Sequence, residues 1–305
     1  MSVYNESETF IRESISSMLI QTFKEFELII IIDNPDREDV VKIINSFNDS
    51  RIIYLKNTSN IGLAMSMNKA AQLAKSNIFV RMDADDVALP LRFELEYHKL
   101  LQSHSDLIFS AYLTIDEEGN FIKENINECL IDNIKLRKKI AVKPNLIHHP
   151  TVMFTREIFE RVGGYRNFPC AQDADLWMRM AEAGCNFIYL PNVLLKYRIN
   201  SQGVTQTKWF KQQLTVHYIY KLGLERMLKG RDNYSIENYN FFLKKSGIDN
   251  SIAERTLLYA HKKLILAQHS YGLYKYWLRI SAFLLSRELR LNYLISLYKV
   301  IMMKN

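Results

Sequence analysis

The sequence predicts an α/β protein with a doubly wound, mainly parallel central sheet, flanking helices and a C-terminal region made of helices alone. Three observations predict it. Apolar, β-branched runs alternate with amphipathic helical stretches through the first two-thirds of the chain, the pattern that right-handed βαβ crossovers impose. Two of those runs, residues 27–32 and 77–82, stop abruptly in acid, at Asp33 and at Asp83, Asp85 and Asp86. From about Thr207 onward helical spacing persists without strand signals.

Residues 1–5 open without a strand, and residues 6–20 place Phe10, Ile15, Met18 and Leu19 at helical spacing. Residues 27–32 are a fully buried strand, read from the unbroken Leu28-Ile29-Ile30-Ile31-Ile32 run and closed by the Asp33-Asn34-Pro35 loop. A helix over 36–47 carries Val40, Val41, Ile43, Ile44 and Phe47, and a short strand follows over 51–55. Residues 57–62 have turn chemistry, and 62–73, rich in Ala and Met, form a helix. After the 77–82 strand come a helix over 90–104 and a strand over 106–115 closed by Glu118-Gly119-Asn120. His148-His149-Pro150 leads into a short strand and a helix over 155–162 that Gly163-Gly164 stops. A helix starts near Asp173, and strands over 186–190 and 193–199 complete the pattern.

A chain of 305 residues, 48% of them hydrophobic, can bury a substantial core and is not disordered. Its net charge of +7 suits an anionic partner: a phosphorylated small molecule, acidic lipid or nucleic acid. Cys129, Cys170 and Cys185 lack the paired spacing of zinc sites and read as reduced thiols. No run approaches the roughly 18 apolar residues of a membrane span, and the first residues are too polar for a signal peptide, so the expected location is the cytoplasm. The tail interleaves Tyr271, Tyr274, Tyr276 and Trp277 with Lys275, Arg279, Arg287, Arg290 and Lys299. That suits peripheral contact with the inner face of a membrane or packing against protein. Nucleic acid is disfavoured, since no recognition motif accompanies the charge.

The acids are the chemically informative residues. Open α/β sheets bind ligands at the carboxyl ends of their strands, and there Asp83, Asp85 and Asp86 crowd three like charges into four positions. An all-oxygen cluster of this kind suits a divalent cation, Mg²⁺ or Mn²⁺. Asp33 ends a second strand on the same edge. Asp173 falls in the first turn of its helix, where an acid serves as a cap or dipole partner or, facing that edge, as a general base. Tyr197-Arg198 offers a cation near the mouth. The run Lys135-Leu136-Arg137-Lys138-Lys139 reads as a solvated face. His148 and His149 read as packing or substrate-facing rings before metal ligands, because no spaced acid or Cys accompanies them locally. Neither G-x-x-x-x-G-K-[ST] nor G-x-G-x-x-G follows a strand, which disfavours P-loop and Rossmann enzymes.

A set of motifs gives these acids a context: Ser2-Val3-Tyr4-Asn5-Glu6, Gln21-Thr22-Phe23, Glu27-Leu28 through Asp33, Asn60-Ile61-Gly62-Leu63, Arg81-Met82-Asp83-Ala84-Asp85-Asp86, His149-Pro150-Thr151, Gly163-Gly164-Tyr165 and Gln172-Asp173 through Leu176-Trp177. In this order the first two-thirds of the chain strongly resembles the family 2 glycosyltransferases. Each motif is weak alone and the ordered set is specific. The resemblance implies a GT-A fold, with a nucleotide-binding half over 1–105, an acceptor-binding half over 106–206 and a helical region over 207–305. It implies an inverting, metal-dependent transfer of one sugar from a nucleotide-diphosphate sugar, usually UDP-linked, to a saccharide or lipid-linked acceptor in cell-surface glycan synthesis. Tyr4 and Asp33 would hold the base, Asp83 would lie near the ribose, Asp85 would hold the cation, Arg198 would lie near the donor phosphates, and Asp173 would be the catalytic base.

The chain departs from the family pattern in four places. The apolar strand that usually precedes the Ser2-Val3-Tyr4-Asn5 segment is absent, Ile32 stands where the first of two paired acids is usual, Gln172 replaces a Glu, and Asn200 stands where many relatives have His. The Q-x-x-R-W signature of processive relatives is also missing, which favours transfer of a single sugar. Two other readings compete. A sugar-phosphate nucleotidyltransferase would show a Gly- and Arg-rich loop, and residues 2–11 contain neither residue. A catalytically impaired binding or scaffold relative is opposed by the presence of Asp85 and Asp173.

Overall fold

A computed structural model of the chain describes residues 1–127, 133–200, 208–268, 270–286, 290, 294 and 295. Cys129, Arg287, Lys299 and the expected boundary at 206/207 lie outside the described residues. The chain divides into two compact units, Met1–Ser201 and Gln202–Asn305.

In the first unit, β1 (Ser2–Val3), β2 (Leu28–Ile32) and β3 (Ile52–Lys56) form a parallel sheet in that order. Every side chain of β2 is buried, which is why its sequence is unbroken aliphatic and does not alternate. Ser2 and Val3 pair with Ile31 and Ile32, so a strand is present where none is expected from the sequence. Two residues are too few for periodicity to register, yet their backbone groups find partners on the edge of β2. Ser7 caps α1 (Glu8–Leu19), its hydroxyl accepting from the Phe10 N–H at 3.3 Å. Ile11, Ile15 and Met18 share one face of α1 and pack with Ile30 and with Val40 and Ile43 of α2 (Glu38–Asn45), in a cluster that continues to Met82 and Leu195. A third helix, α3 (Leu63–Leu73), follows the turn at Gly62.

The second sheet is mixed. Its order is β4 (Ile78–Val80), β8 (Val152–Thr155), β6 (Leu107–Ile115), β9 (Phe187–Arg198) and β5 (Val87–Ala88), with β7 (Phe121–Asn125) also paired to β6. Within it β6 and β9 run parallel and the other pairs antiparallel. The parallel pattern read from the sequence therefore describes β1 to β3 and the pair formed by β6 with β9. A buried aliphatic run looks the same whichever way its neighbour points. The strands expected over 186–190 and 193–199 are one strand, β9, whose register against β6 slips between Leu190 and Leu195. Pro191 cannot donate to the ladder, and the slip accommodates it.

Helices α4 (Arg92–Gln102), α5 (Asn133–Val142), α6 (Arg156–Arg161) and α7 (Gln172–Glu182) complete the unit. The 135–139 run lies on α5, with Leu136 buried and Lys138 and Lys139 exposed. Trp177 of α7 is fully buried, meeting Phe154 and His149 edge-on at centroid distances of 6.2 and 6.0 Å. The second unit contains α8 (Trp209–Lys229), α9 (Ile236–Lys245), α10 (Ser251–Gln268) and α11 (Gly272–Leu285) among its described residues. Thr215 of α8 and Tyr239 of α9 share a buried hydroxyl hydrogen bond of 2.7 Å, and α10 packs against α11.

Trp177→Ala should destabilise the first unit by about 3–5 kcal/mol, measured by urea denaturation. Trp177→Phe should cost less, because it keeps most of the ring packing and removes an indole N–H that is buried without a partner.

Candidate active site

The carboxyl ends of β1 and β2 bring Tyr4 and Asp33 side by side, the Asp33 N–H donating to the Val3 carbonyl at 2.8 Å. Tyr4 is 42% exposed. Asp33 is buried, and its carboxylate is the organiser of the 57–62 loop: Oδ1 accepts from Asn57 Nδ2 at 2.8 Å and from the Ile61 N–H at 3.0 Å, and Oδ2 accepts from the Gly62 N–H at 2.8 Å. Three of its four lone-pair sites are thereby used. Gly62 takes φ +86° at this point, a left-handed value open to glycine, and α3 begins at the next residue. Lys69 reaches back from α3 to Asn57 Oδ1 at 2.8 Å.

The acid loop after β4 divides its three carboxylates among three environments. Asp83 is half-buried and ion-paired to the buried Arg81; burial opposes its ionisation, but the Arg81 guanidinium holds it below the usual range. Asp85 has no ion pair among the described residues, and burial together with the charges of Asp83 and Glu6 pushes it up to about 7. Asp86 is fully buried, and burial plus its two acid neighbours raise it well above the usual range. Its Oδ1 accepts the Arg198 backbone N–H at 2.9 Å, while its Oδ2 has no partner.

Arg198 sits behind this loop and is turned into the protein. Its Nε donates to the Asp85 carbonyl at 2.9 Å, Nη1 to the carbonyls of Asp116 and Glu117 at 3.3 and 2.9 Å, and Nη2 pairs with Glu13. The guanidinium lies 4.5 Å from the centroid of the Phe10 ring. With 3% exposure it braces the loop, and the cation expected near the mouth is engaged by carbonyls and by Glu13. The local signal, Tyr-Arg at a strand end, is the same for an open cation and an engaged one.

Asp173 lies in the first turn of α7, entered through Ala171 in the left-handed region at φ 54°. Burial lifts its carboxyl to about 6, opposed by the Ala174 N–H and reinforced by the charge of Asp83. His149 is buried with Nε2 2.8 Å from the Tyr165 hydroxyl, and burial holds its ring well below its usual range. His148 stacks on Tyr112 at 4.5 Å and meets Tyr197 edge-on at 4.2 Å, with its own value lowered by burial to about 4. Both rings are therefore neutral and packed. Asp83 and Asp173 both act electrostatically on the Tyr165 hydroxyl, so acid loop and helix start face one locality.

Sequence reasoning missed the clasp that fixes Tyr165. Asn68 of α3 accepts from the Tyr165 N–H at 2.9 Å and donates to its carbonyl at 2.8 Å. A Cβ at Gly164 would stand 2.8 Å from Asn68 Oδ1, so the second glycine of the pair is needed for close approach as well as for its φ of +66°. Arg179, ion-paired to Asp175, donates to the Gly164 carbonyl at 2.8 Å. The double glycine was a legible signal; its partner on a helix about a hundred residues earlier was not.

Among the described residues no group of three His, Cys, Asp or Glu side chains converges as a metal site. Asp83 and Asp85 nevertheless offer hard oxygen donors with excess negative charge, and Mg²⁺ is commonly held by one or two carboxylates with phosphate oxygens and water completing its shell. The donor set therefore fits a divalent cation that arrives with a diphosphate. A cavity of about 770 Å³ lies between β2 and β4; it is lined mainly by apolar side chains such as Phe26, Phe79 and Met153, and reaches the acid loop at Arg81 and Met82 and the double-glycine segment at Tyr165.

The family model for glycosyl transferase family 2 matches residues 1–163. The uncharacterized glycosyltransferase MJ1057 of Methanocaldococcus jannaschii is 36% identical over 72% of this chain and 77% of its own length. The O-antigen biosynthesis glycosyltransferase WbnJ of Escherichia coli is 34% identical over 73% of this chain and 86% of its own. Among solved structures, S. aureus TarS 1-349 in complex with UDP-GlcNAc superposes with a TM-score of 0.61 at 15% identity, covering 79% of this chain and 69% of that one, a likeness of fold.

Arg198→Met should lower the stability of the first unit by about 2–3 kcal/mol, since it orphans three carbonyls and removes the ion pair with Glu13. Thermal denaturation without nucleotide checks this. An unchanged melting temperature with weakened diphosphate binding would assign Arg198 to the ligand instead.

Proposed function

Because the chain belongs to glycosyl transferase family 2 and has the GT-A fold, we propose that this glycosyltransferase moves one sugar from a UDP-linked or related nucleotide-diphosphate donor to an acceptor hydroxyl, with inversion. The observation that carries the reading is the pairing of two differently tuned acids about Tyr165: Asp83, kept ionised beside Arg81, and Asp173, lifted to about 6. An acid in that range is a competent base at neutral pH and takes up a proton readily.

In this reading the base stacks on the exposed Tyr4 ring and reaches the remaining acceptor site of Asp33. Asp83 orients the ribose, Asp85 contributes the carboxylate for Mg²⁺ or Mn²⁺, and Arg198 holds the loop that carries both in register. When bound, the cation supplies charge neutralisation to the departing diphosphate. Asp173 accepts the acceptor hydroxyl proton; the hydroxyl oxygen forms the new bond to the anomeric carbon from the face opposite the diphosphate, and the bond to the diphosphate oxygen breaks. The names of WbnJ and of the amylovoran biosynthesis glycosyltransferase AmsE of Erwinia amylovora support an acceptor within a saccharide or lipid-linked saccharide of a surface polysaccharide. Such an acceptor puts the enzyme on the cytoplasmic side, peripheral to the membrane.

A panel of nucleotide sugars with Mn²⁺ or Mg²⁺, scored by thermal stabilisation and slow donor hydrolysis, tests the reading; no metal-dependent response to any donor would sink it. Asp173→Asn should reduce transfer by about 10²–10⁴-fold while leaving donor binding intact. Asp85→Ala should weaken the metal-dependent part of donor binding. The base must be ionised, so transfer should fall as pH drops through about 6 and level off above about 7, and a rate independent of pH across that window would remove Asp173 from the role.

A further inference from the structure

The described residues of the C-terminal unit leave an apolar surface exposed. On α11, Leu278 and Ala282 are buried, whereas Trp277, Ile280 and Leu284, on the opposite face, are 55%, 60% and 72% exposed. Trp277 stacks on Tyr274 with centroids 5.9 Å apart, and Lys263 of α10 lies 4.6 Å from the Trp277 centroid and 5.1 Å from that of Tyr259. Aromatic rings, aliphatic side chains and an ammonium group thus form one continuous strip across both helices.

The charge of the hairpin is one-sided. Its two helices hold Arg255, Lys262, Lys263, Lys275 and Arg279 against Glu254 alone. No helix among the described residues is long and apolar enough to cross a membrane. A helix pair with an apolar outer strip, a basic rim and exposed Trp and Tyr is suited to lie at headgroup depth, where rings straddle the boundary and lysines reach the phosphates. A second copy docked face to face would set five cations against five, which opposes self-association.

We propose that the α10–α11 hairpin docks on a bilayer surface containing anionic lipid, with Trp277, Ile280 and Leu284 entering the headgroup–acyl boundary. This deepens the membrane-peripheral setting proposed above and is independent of the donor chemistry. The full chain should float with phosphatidylcholine vesicles that contain phosphatidylserine, float poorly with phosphatidylcholine alone, and be released by high salt. Trp emission should shift to the blue on binding, and the shift should vanish in Trp277→Tyr. Two double variants, Lys262→Glu with Arg279→Glu and Trp277→Ser with Leu284→Ser, replace exposed groups and should each weaken vesicle binding about tenfold or more at an unchanged melting temperature. Wild-type protein that does not float, variants that float equally well, or strip-dependent dimers seen by light scattering without vesicle binding would overturn the proposal. Donor hydrolysis measured on the same samples separates the two readings. Protein that hydrolyses donor but does not float rejects the docking surface alone, and protein that floats but meets no donor rejects the transfer reading alone.

Discussion

The catalytic unit depends on how it manages three carboxylates crowded at the end of β4. Like charges in a poorly solvated loop repel, and the chain answers with two buried arginines that both bond to the loop. Arg81, within the loop, takes the charge of Asp83. Arg198, arriving from the end of β9, fixes Asp86 through its backbone N–H and the Asp85 carbonyl through its side chain. Asp85 is left as the acid without an ion pair among the described residues, and its carboxyl is pushed up to about 7 by burial and by the charges of Asp83 and Glu6.

Much of this was legible from residue order. The Ile-rich run fixed β2 as a buried strand, the sudden acids fixed the edge of the sheet that matters, and helical spacing turned Trp177 inward while leaving Asp173 in the first turn. Strand direction was less legible, because burial and not polarity of pairing shapes the pattern: β4, β5, β7 and β8 pair antiparallel with no mark of it in their composition. β1 escaped notice at two residues. The inward turn of Arg198 was illegible for another reason. Its partners are main-chain carbonyls at 85, 116 and 117, which no side-chain code announces.

The clasp of Asn68 on Tyr165 joins α3 to the segment preceding α7. Tyr165 in turn meets His149, which packs on Trp177 in α7 itself. The position of Asp173 relative to the acid loop is thus set by contacts that cross the two halves of the unit, through neutral groups whose hydrogen bonds keep their sign across the working pH range.

The grip of Asp33 on its loop has an evolutionary corollary. Two of its three bonds go to main-chain amides, those of Ile61 and Gly62. A carboxylate that holds backbone is indifferent to the side chains mounted on it, so the exposed side chains of Thr58 and Ser59 can change while the path of the loop stays constant. Under such an arrangement a lineage can alter the surface of this rim by substitution alone, without rebuilding the backbone path beneath it.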